Sequence, residues 1–335
     1  MESFQPQSML ITGAAGFIGA NFVRLMQAQY PDMTLVSYDK LTYAGNLENL
    51  AGTFEVDNHH FIQGDITDAK QVADTLRTYQ IDTIVHFAAE SHVDNSIARP
   101  QCFVETNVLG TFILLEQARE YWQEVCGWGP TQCRFHHVST DEVYGTLDLH
   151  DPAFTETTAY APSSPYSASK AGSDHFVKAY YHTYGLPMTL SNCSNNYGPY
   201  QHPEKLIPVV IQNCIDQQSI PVYGDGSNIR DWLYVADHCD AIDTIIRHGT
   251  IGQVYNVGGQ NEVDNLSLVK TICQLMDDYR PQGSPHASLI HFVEDRKGHD
   301  WRYAIDNRKI QRELNWKPSQ NFKTMLQQTI EFYLS

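Results

Sequence analysis

At 335 residues, 42% hydrophobic and 18% charged, the chain is long enough for one large domain with a lobe, or for two domains. Its 39 acidic residues against 22 Lys and Arg give a net charge of −17, which excludes nucleic-acid binding through a general basic surface and requires any anionic ligand to meet a local cluster of cations. The first residues carry no basic-then-apolar leader and no apolar run reaches the roughly 18 residues of a membrane span, so a soluble cytoplasmic protein is expected.

The first element is a short apolar strand, Met9-Leu10-Ile11-Thr12. Gly13-Ala14-Ala15-Gly16-Phe17-Ile18-Gly19 follows at once, then an amphipathic helix with Phe22, Leu25 and Met26 on one face. Strand, glycine turn and helix make a dinucleotide-binding signature. Missing Cβ atoms allow a tight turn and close approach to a pyrophosphate, which sits at the positive end of the helix. A second strand over 34–38 ends in Asp39, a carboxylate suited to the adenosine ribose and repellent to a 2′-phosphate. NAD is therefore expected rather than NADP, with Lys40 weakening the preference a little. The stretch 61–66 leads to an acidic turn at Asp65, placed to contact adenine. The stretch 83–89 is almost wholly apolar, as a strand covered on both faces must be, and small Ala88 and Ala89 let a cofactor lie against its end.

The stretch 101–122 reads as a helix apolar on more than one side, which is either a deep core helix or a dimer interface. A strand over 134–140 then delivers Thr140 and the adjacent acids Asp141 and Glu142. The stretch 151–165, rich in Pro, Thr and Ser, forms a loop before a helix carrying Tyr166 and Lys170. Tyr and Lys four apart share one helix face, and an ammonium beside a phenol lowers the tyrosine pKa, making a base for an alcohol proton. Thr140 adds a hydroxyl that holds the same alcohol. Tyr-Lys-Thr is thus equipment for oxidising an alcohol or reducing a ketone. Two further carboxylates supply what a dehydration needs, a base for a carbon-bound proton and an acid for a departing hydroxyl. Both reach one substrate only if the backbone turns at Asp141, since neighbours on a strand face opposite ways.

Alternating strands and helices up to about residue 190 predict an α/β fold with a doubly wound parallel sheet. Prolines at 199, 203, 208 and 221 then break the rhythm. The expected division is a cofactor domain over 1–190 carrying the catalytic residues and a smaller substrate lobe over 191–335, with segments such as the strand over 253–257 returning to the main sheet. Seven scattered cysteines with no Cys-x-x-Cys pair fit free thiols in a reducing compartment. Fifteen histidines, none in a His-Glu-x-x-His pattern, give no metal site.

Motifs spread nearly end to end carry a resemblance: Tyr43-Ala44-Gly45-Asn46-Leu47, Ala88-Ala89-Glu90-Ser91-His92-Val93-Asp94, Ser139-Thr140-Asp141-Glu142-Val143-Tyr144-Gly145, Cys193-Ser194-Asn195-Asn196-Tyr197-Gly198-Pro199, Arg230-Asp231-Trp232 and Asp295-Arg296-Lys297-Gly298-His299-Asp300. With the glycine turn and Tyr166-x-x-x-Lys170, the chain resembles the extended short-chain dehydrogenase/reductases, and among them the dTDP-glucose 4,6-dehydratases. The resemblance implies a homodimer with tightly held NAD, acting on dTDP-glucose. Tyr166, with Thr140 and Lys170, is implied to take the C4 hydroxyl proton, Glu142 the C5 proton, and Asp141 to protonate the leaving C6 hydroxyl. It implies cofactor contacts from Gly13, Gly16, Phe17, Ile18, Gly19, Asp39, Lys40, Leu41, Thr42, Asp65, Ile66, Phe87, Ala88, Ala89, Ser91, Thr106, Tyr166, Lys170 and Asn196. Substrate contacts are implied from Ser91, Thr140, Asp141, Glu142, Asn195, Lys205, Leu206, Pro221, Val222, Tyr223, Arg230, Asn265, Arg296 and His299. Lys205, Arg230 and Arg296 are the cations for the diphosphate. The chain departs from the family in having Asn95 and Trp301 where arginine is expected. A nucleotide-sugar 4-epimerase or decarboxylase of the same fold, or a silent NAD-binding protein, are the rival readings; the paired acids and intact Tyr166 and Lys170 argue against both.

Overall fold

The computed structural model describes residues 4–295, 299–319 and 321–335. A seven-stranded sheet forms the centre, from β1 (Ser8–Thr12), β2 (Thr34–Asp39), β3 (His59–Gln63), β4 (Thr83–His86), β5 (Arg134–Thr140), β6 (Met188–Cys193) and β10 (Val254–Val257). All of its pairings are parallel, in the order β10-β6-β5-β4-β1-β2-β3. The order reverses between β1 and β4, and in open α/β sheets ligands bind in the crevice at such a switch point, beyond the strands' carboxyl ends. β5 and β6 are buried along their whole length, and neither alternates apolar with polar as a strand with one solvated face would; the buried Arg134, His136 and His137 of β5 are met by hydrogen-bonding partners.

Helices cover both faces. α1 (Phe17–Gln29) turns Phe22, Val23 and Met26 to one face, where α8 (Val235–His248) joins it through Val235, Ile242 and Ile246. The other face packs α2 (Ala69–Thr78), α5 (Thr111–Arg119) and α6 (Pro165–Tyr184) through Val72, Leu76, Leu114, Leu115, Val177 and Tyr180. Short α3 (Val93–Ala98) and α4 (Pro100–Phe103) lead into a helical run over 100–125 that is π-helical at Val104–Gly110 and Glu120–Val125. One side of the run is core, with Phe103, Leu114 and Trp122 fully buried; the other exposes Val104, Leu109 and Phe112. The core reading of this helix describes its buried side; the exposed side is apolar as well.

The smaller lobe holds β7 (Asn195–Tyr197), β8 (Ile220–Tyr223), β9 (Ile229–Tyr234), β11 (Glu262–Asp264) and β12 (Ile290–Val293), paired as β11-β9-β7 and β12-β8. Its own core gathers α7 (Leu206–Asp216), α9 (Asn265–Tyr279) and α11 (Phe322–Leu334), while α10 (Arg308–Leu314) packs against β10. Residue 190 falls inside β6, and both α8 and β10 belong to the main sheet's layers, so the chain crosses between the two halves more than once. Among the described residues no helix is long and apolar enough to cross a membrane.

Candidate active site

A cavity of about 320 Å³ opens along the carboxyl edge of the sheet, from the β1–α1 turn to β5 and the start of β7. At its floor Gly13 has φ +70°, and a Cβ there would lie 2.6 Å from Ala88 N; one on Gly19 would lie 2.2 Å from Gly13 O. Only glycine permits this approach of turn, helix and β4 end. Gly16 caps α1 with no side-chain acceptor, so the leading amides of that helix face the cavity available to an anion. Asp39 ends β2 and is fixed by the N–H groups of Ala15 (2.9 Å, to Oδ2) and Leu41 (2.8 Å, to Oδ1). Lys40 pairs with Asp65 at 2.6 Å on the cavity wall. An anion-ready helix start, a glycine floor and a fixed carboxylate at the end of β2 are the parts a dinucleotide requires, and these residues fit NAD.

The chemical end is built by β5 and α6. Ser164 caps α6 reciprocally with Ser167, and Pro165 fills the first turn, so the helix starts where Tyr166 and Lys170 point at β5. The chain leaves β5 into a 3-10 turn over Asp141–Tyr144, held by the Glu142 N–H donating to Thr140 Oγ1 (3.3 Å). This is the turn that adjacent acids need, and it sends them to different places. Glu142 lines the cavity with Thr140, Tyr166 and Lys170. Asp141 is 1% exposed behind that wall, accepts from Thr140 Oγ1 at 3.4 Å, and has no hydrogen-bond partner at Oδ2.

Burial, then the charges of Glu142 and Asp231, push the Asp141 carboxyl well above the usual carboxylate range, against smaller opposition from Arg230 and Thr140. Asp141 is therefore an acid that keeps its proton. Its folded-state pKa lies above the unfolded value, so folding takes up a proton and stability drains away as pH rises from the unfolded value toward the folded one. Asp141→Asn is expected to raise Tm over wild type at about pH 8 and by much less at about pH 5, measured by calorimetry at both. A lower Tm for the variant at the higher pH would contradict this.

Tyr166 departs from the sequence reading, which lowers its pKa through Lys170. Burial, followed by the negative charge of Glu142, drives the phenol well above its ordinary value, and a hydrogen bond from Thr140 opposes this only in part. Lys170 Nζ donates to the Val138 carbonyl at 2.9 Å, and its burial pushes its own pKa down. Desolvation of both groups outweighs the one-turn proximity on which sequence reasoning relied.

Of the expected cofactor residues, all but Leu41 line this cavity; Leu41, at φ +56°, turns its side chain to the core beside β2. Ser91, Asn195 and Lys205 line it as well, and Asn195 Oδ1 is buried without a hydrogen-bond partner. Leu206, Pro221, Val222, Tyr223, Asn265 and His299 lie in the smaller lobe outside the lining, with His299 Nδ1 2.7 Å from Asp295 Oδ1. Arg230 is also outside it. Its guanidinium donates to the carbonyls of Ile229 (2.7 Å), Asp300 (2.9 Å) and Trp301 (3.3 Å) and stacks 4.3 Å over Tyr303. Arg296 lies outside the described residues. The Asn95 carbonyl accepts the Arg99 N–H that ends α3, its own N–H is held by His92, and Trp301 is 41% exposed.

Sequence reasoning missed Glu90, Ser139, Cys193, Gln201 and His202 on the cavity wall. Glu90, Ser139 and Cys193 sit inside the motifs that carry the family resemblance. Gln201 and His202 come from the loop after β7, where no periodicity points inward; His202 reaches across to the Tyr43 carbonyl at 3.2 Å.

A family model described as GDP-mannose 4,6 dehydratase matches residues 10–329. The chain is 52% identical over 335 residues to a dTDP-glucose 4,6-dehydratase of Salmonella typhimurium, covering 98% of this chain and 92% of that protein. Among solved structures it is similar to DesIV, a dTDP-glucose 4,6-dehydratase from Streptomyces venezuelae with NAD and dTDP bound (TM-score 0.88, 45% identity, 98% and 97% coverage). It is also similar to a dTDP-glucose 4,6-dehydratase from Bacillus anthracis in complex with NAD (TM-score 0.87, 42% identity, 98% and 96% coverage).

Proposed function

We propose that this chain, which belongs to the GDP-mannose 4,6 dehydratase family and within it to the dTDP-glucose 4,6-dehydratases, converts dTDP-glucose to dTDP-4-keto-6-deoxyglucose and water. The observation that carries the reading is the acid pair at the end of the strand that also carries Thr140: Glu142 on the cavity wall with Tyr166 and Lys170, and Asp141 buried beside it with Oδ2 unpartnered and its carboxyl pushed upward. A plain dehydrogenase or epimerase has no use for a stored proton there. NAD, when bound, supplies the acceptor that takes hydride from C4 and gives it back to C6.

The chain's own residues handle protons. Tyr166 takes the C4 hydroxyl proton, with the Thr140 hydroxyl and the Lys170 ammonium stabilising the phenolate. The 4-ketone acidifies C5, and Glu142 removes that proton from the cavity side. Asp141 gives its proton to the C6 oxygen, which leaves as water, and Glu142 returns a proton to C5. Glycine floor, α1 amides and Asp39 hold the cofactor; Ser91, Asn195 and Lys205 begin the grip on substrate. Arg230, Asn265, His299 and Arg296, with Leu206 and the edge 221–223, extend that grip toward the diphosphate and base. Seven free thiols support a reducing, cytoplasmic setting.

Incubation with dTDP-glucose and no added NAD, followed by mass, tests the reading. Loss of one water without net NADH supports it; an unchanged sugar after NAD is supplied defeats it. Arg230→Ala is expected to raise KM more than it lowers kcat, phosphate grip being largely uniform binding. It should also lower Tm, because three carbonyls each lose one of their donors. An unchanged KM would remove Arg230 from substrate binding and leave it a clamp on the 300–301 backbone.

The homodimer is part of the same proposal. Val104, Leu109 and Phe112 form an exposed apolar strip that continues onto Phe176 of α6, whose ring lies 6.1 Å from that of Phe112. Such a strip suits pairing with its own copy about a two-fold axis. Phe112→Asp is expected to shift the protein from dimer to monomer in sedimentation velocity, and a wild-type monomer would refute the assignment.

A further inference from the structure

We propose that Asp174, which does not line the cavity, is the buried counter-charge that holds Lys170 as an ammonium beside Tyr166, and is thereby a positioning residue for C4 oxidation. The inference rests on the roles given above to Tyr166 and Lys170. Lys170 and Asp174 are one turn apart on α6 and share a face; Lys170 is 4% exposed and Asp174 not at all. The Lys170 ammonium donates to the Val138 carbonyl, a dipole rather than a charge. An ammonium taken out of water without an anion gives up its proton.

Asp174 is surrounded by donors. Ser139 Oγ and Tyr160 OH both donate to its Oδ2 at 2.9 Å, while Oδ1, 3.2 Å from the neutral His137 Nε2, has no hydrogen-bond partner. Tyr160 in turn accepts from Lys178 Nζ and Asn192 Nδ2, each at 3.2 Å. Converging donors of this kind favour the ionised carboxylate. Consecutive residues of β5, Val138 and Ser139, hold the two partners, so strand and helix fix cation and anion together.

Among the described residues, Asp174 is the anion that opposes the burial of Lys170 most strongly, ahead of Cys193. Lys170 lines the cavity with Tyr166 and Glu142 and faces Cys193 of β6, His86 of β4 and His137 of β5; Asp174 faces Lys178, Tyr160 and Tyr144 besides. Burial, then neighbouring positive charge, drives His86 and His137 well below their ordinary range, so both are neutral. Asp141 keeps its proton. Burial pushes Lys170 down and Asp174 up, and each one's charge opposes the shift in the other.

The experiment is a titration of Lys170 in the NAD-bound enzyme by 13C NMR of lysine labelled at Cε, its signal assigned by its absence from Lys170→Arg. Asp174→Asn is expected to lower the Lys170 midpoint by about one pH unit or more. NADH formation from dTDP-xylose, which has no C6 to dehydrate and so isolates C4 oxidation, should lose its alkaline limb at a correspondingly lower pH. A uniform loss of rate with an unmoved Lys170 midpoint is what a merely structural role gives, and overturns the proposal. Should Asp174→Asn not fold, Tyr160→Phe removes one donor from Asp174 and should move the midpoint the same way by less; no movement there overturns it too. A wild-type enzyme that neither forms NADH with dTDP-xylose nor dehydrates dTDP-glucose defeats the dehydratase reading, while the Lys170 titration, which needs no substrate, still decides the role of Asp174.

Discussion

Glu142→Gln is expected to retain NAD and to oxidise C4, yet to lose water about 10²–10⁴-fold more slowly than wild type, the range set by removing a positioned general base. The amide keeps the shape of the side chain on the cavity wall and cannot accept the C5 proton. Its neutrality has a second effect. The Glu142 charge is the largest electrostatic contribution holding Tyr166 and Asp141 upward after burial, so its loss eases deprotonation of the phenol and of the acid. C4 oxidation should therefore persist, and NADH absorbance should accumulate on mixing with dTDP-glucose. In deuterated water, wild-type product carries deuterium at C5 and the variant's keto sugar does not. Wild-type yields of the 4-keto-6-deoxy sugar from this variant would sink the role assigned to Glu142.

Tyr166→Phe should stop the reaction one stage earlier. Without the phenol nothing takes the C4 hydroxyl proton, the ketone that acidifies C5 never forms, and Glu142 and Asp141 have no work to do. We expect a loss of about 10²–10⁴-fold in NADH formation with both dTDP-glucose and dTDP-xylose, and no C5 exchange, while NAD content stays at the wild-type level. The two variants thus part on one observable, NADH, which accumulates in the first and is absent in the second. The pH dependence in wild type has a defined sign. Because Tyr166 is displaced upward, C4 oxidation should rise with pH until Lys170 loses its proton. Dehydration of dTDP-glucose should also fall as pH passes the elevated midpoint of Asp141, a limb dTDP-xylose oxidation does not share. A dTDP-glucose profile identical to the dTDP-xylose profile would take the acid role from Asp141.

Short-range features were legible in the sequence because a turn or a helix face depends on residues within a few positions. The glycine turn from Gly13 to Gly19, Asp39 at the end of β2, the Tyr166–Lys170 face and a Thr140-Asp141-Glu142 strand end all stand where spacing put them, and the parallel sheet follows from the β-α rhythm. The need for a backbone turn at Asp141 was also readable, since strand geometry forbids two neighbours from sharing a face. Other features were not legible. The repulsion of Glu142 on Asp141 was implicit in the adjacent acids, but the burial that dominates its upward shift and the added charge of Asp231, far along the chain, were not, and Tyr166 rose rather than fell because desolvation exceeds the help of one nearby lysine. The return of β10 to the main sheet was readable from its apolar run, whereas the packing of α8 beside α1 and the donation of Arg230 to the carbonyls of Asp300 and Trp301 were not. Burial, charge balance and the occupancy of a guanidinium's donors are sums over neighbours brought together by the fold, and no local pattern encodes such a sum.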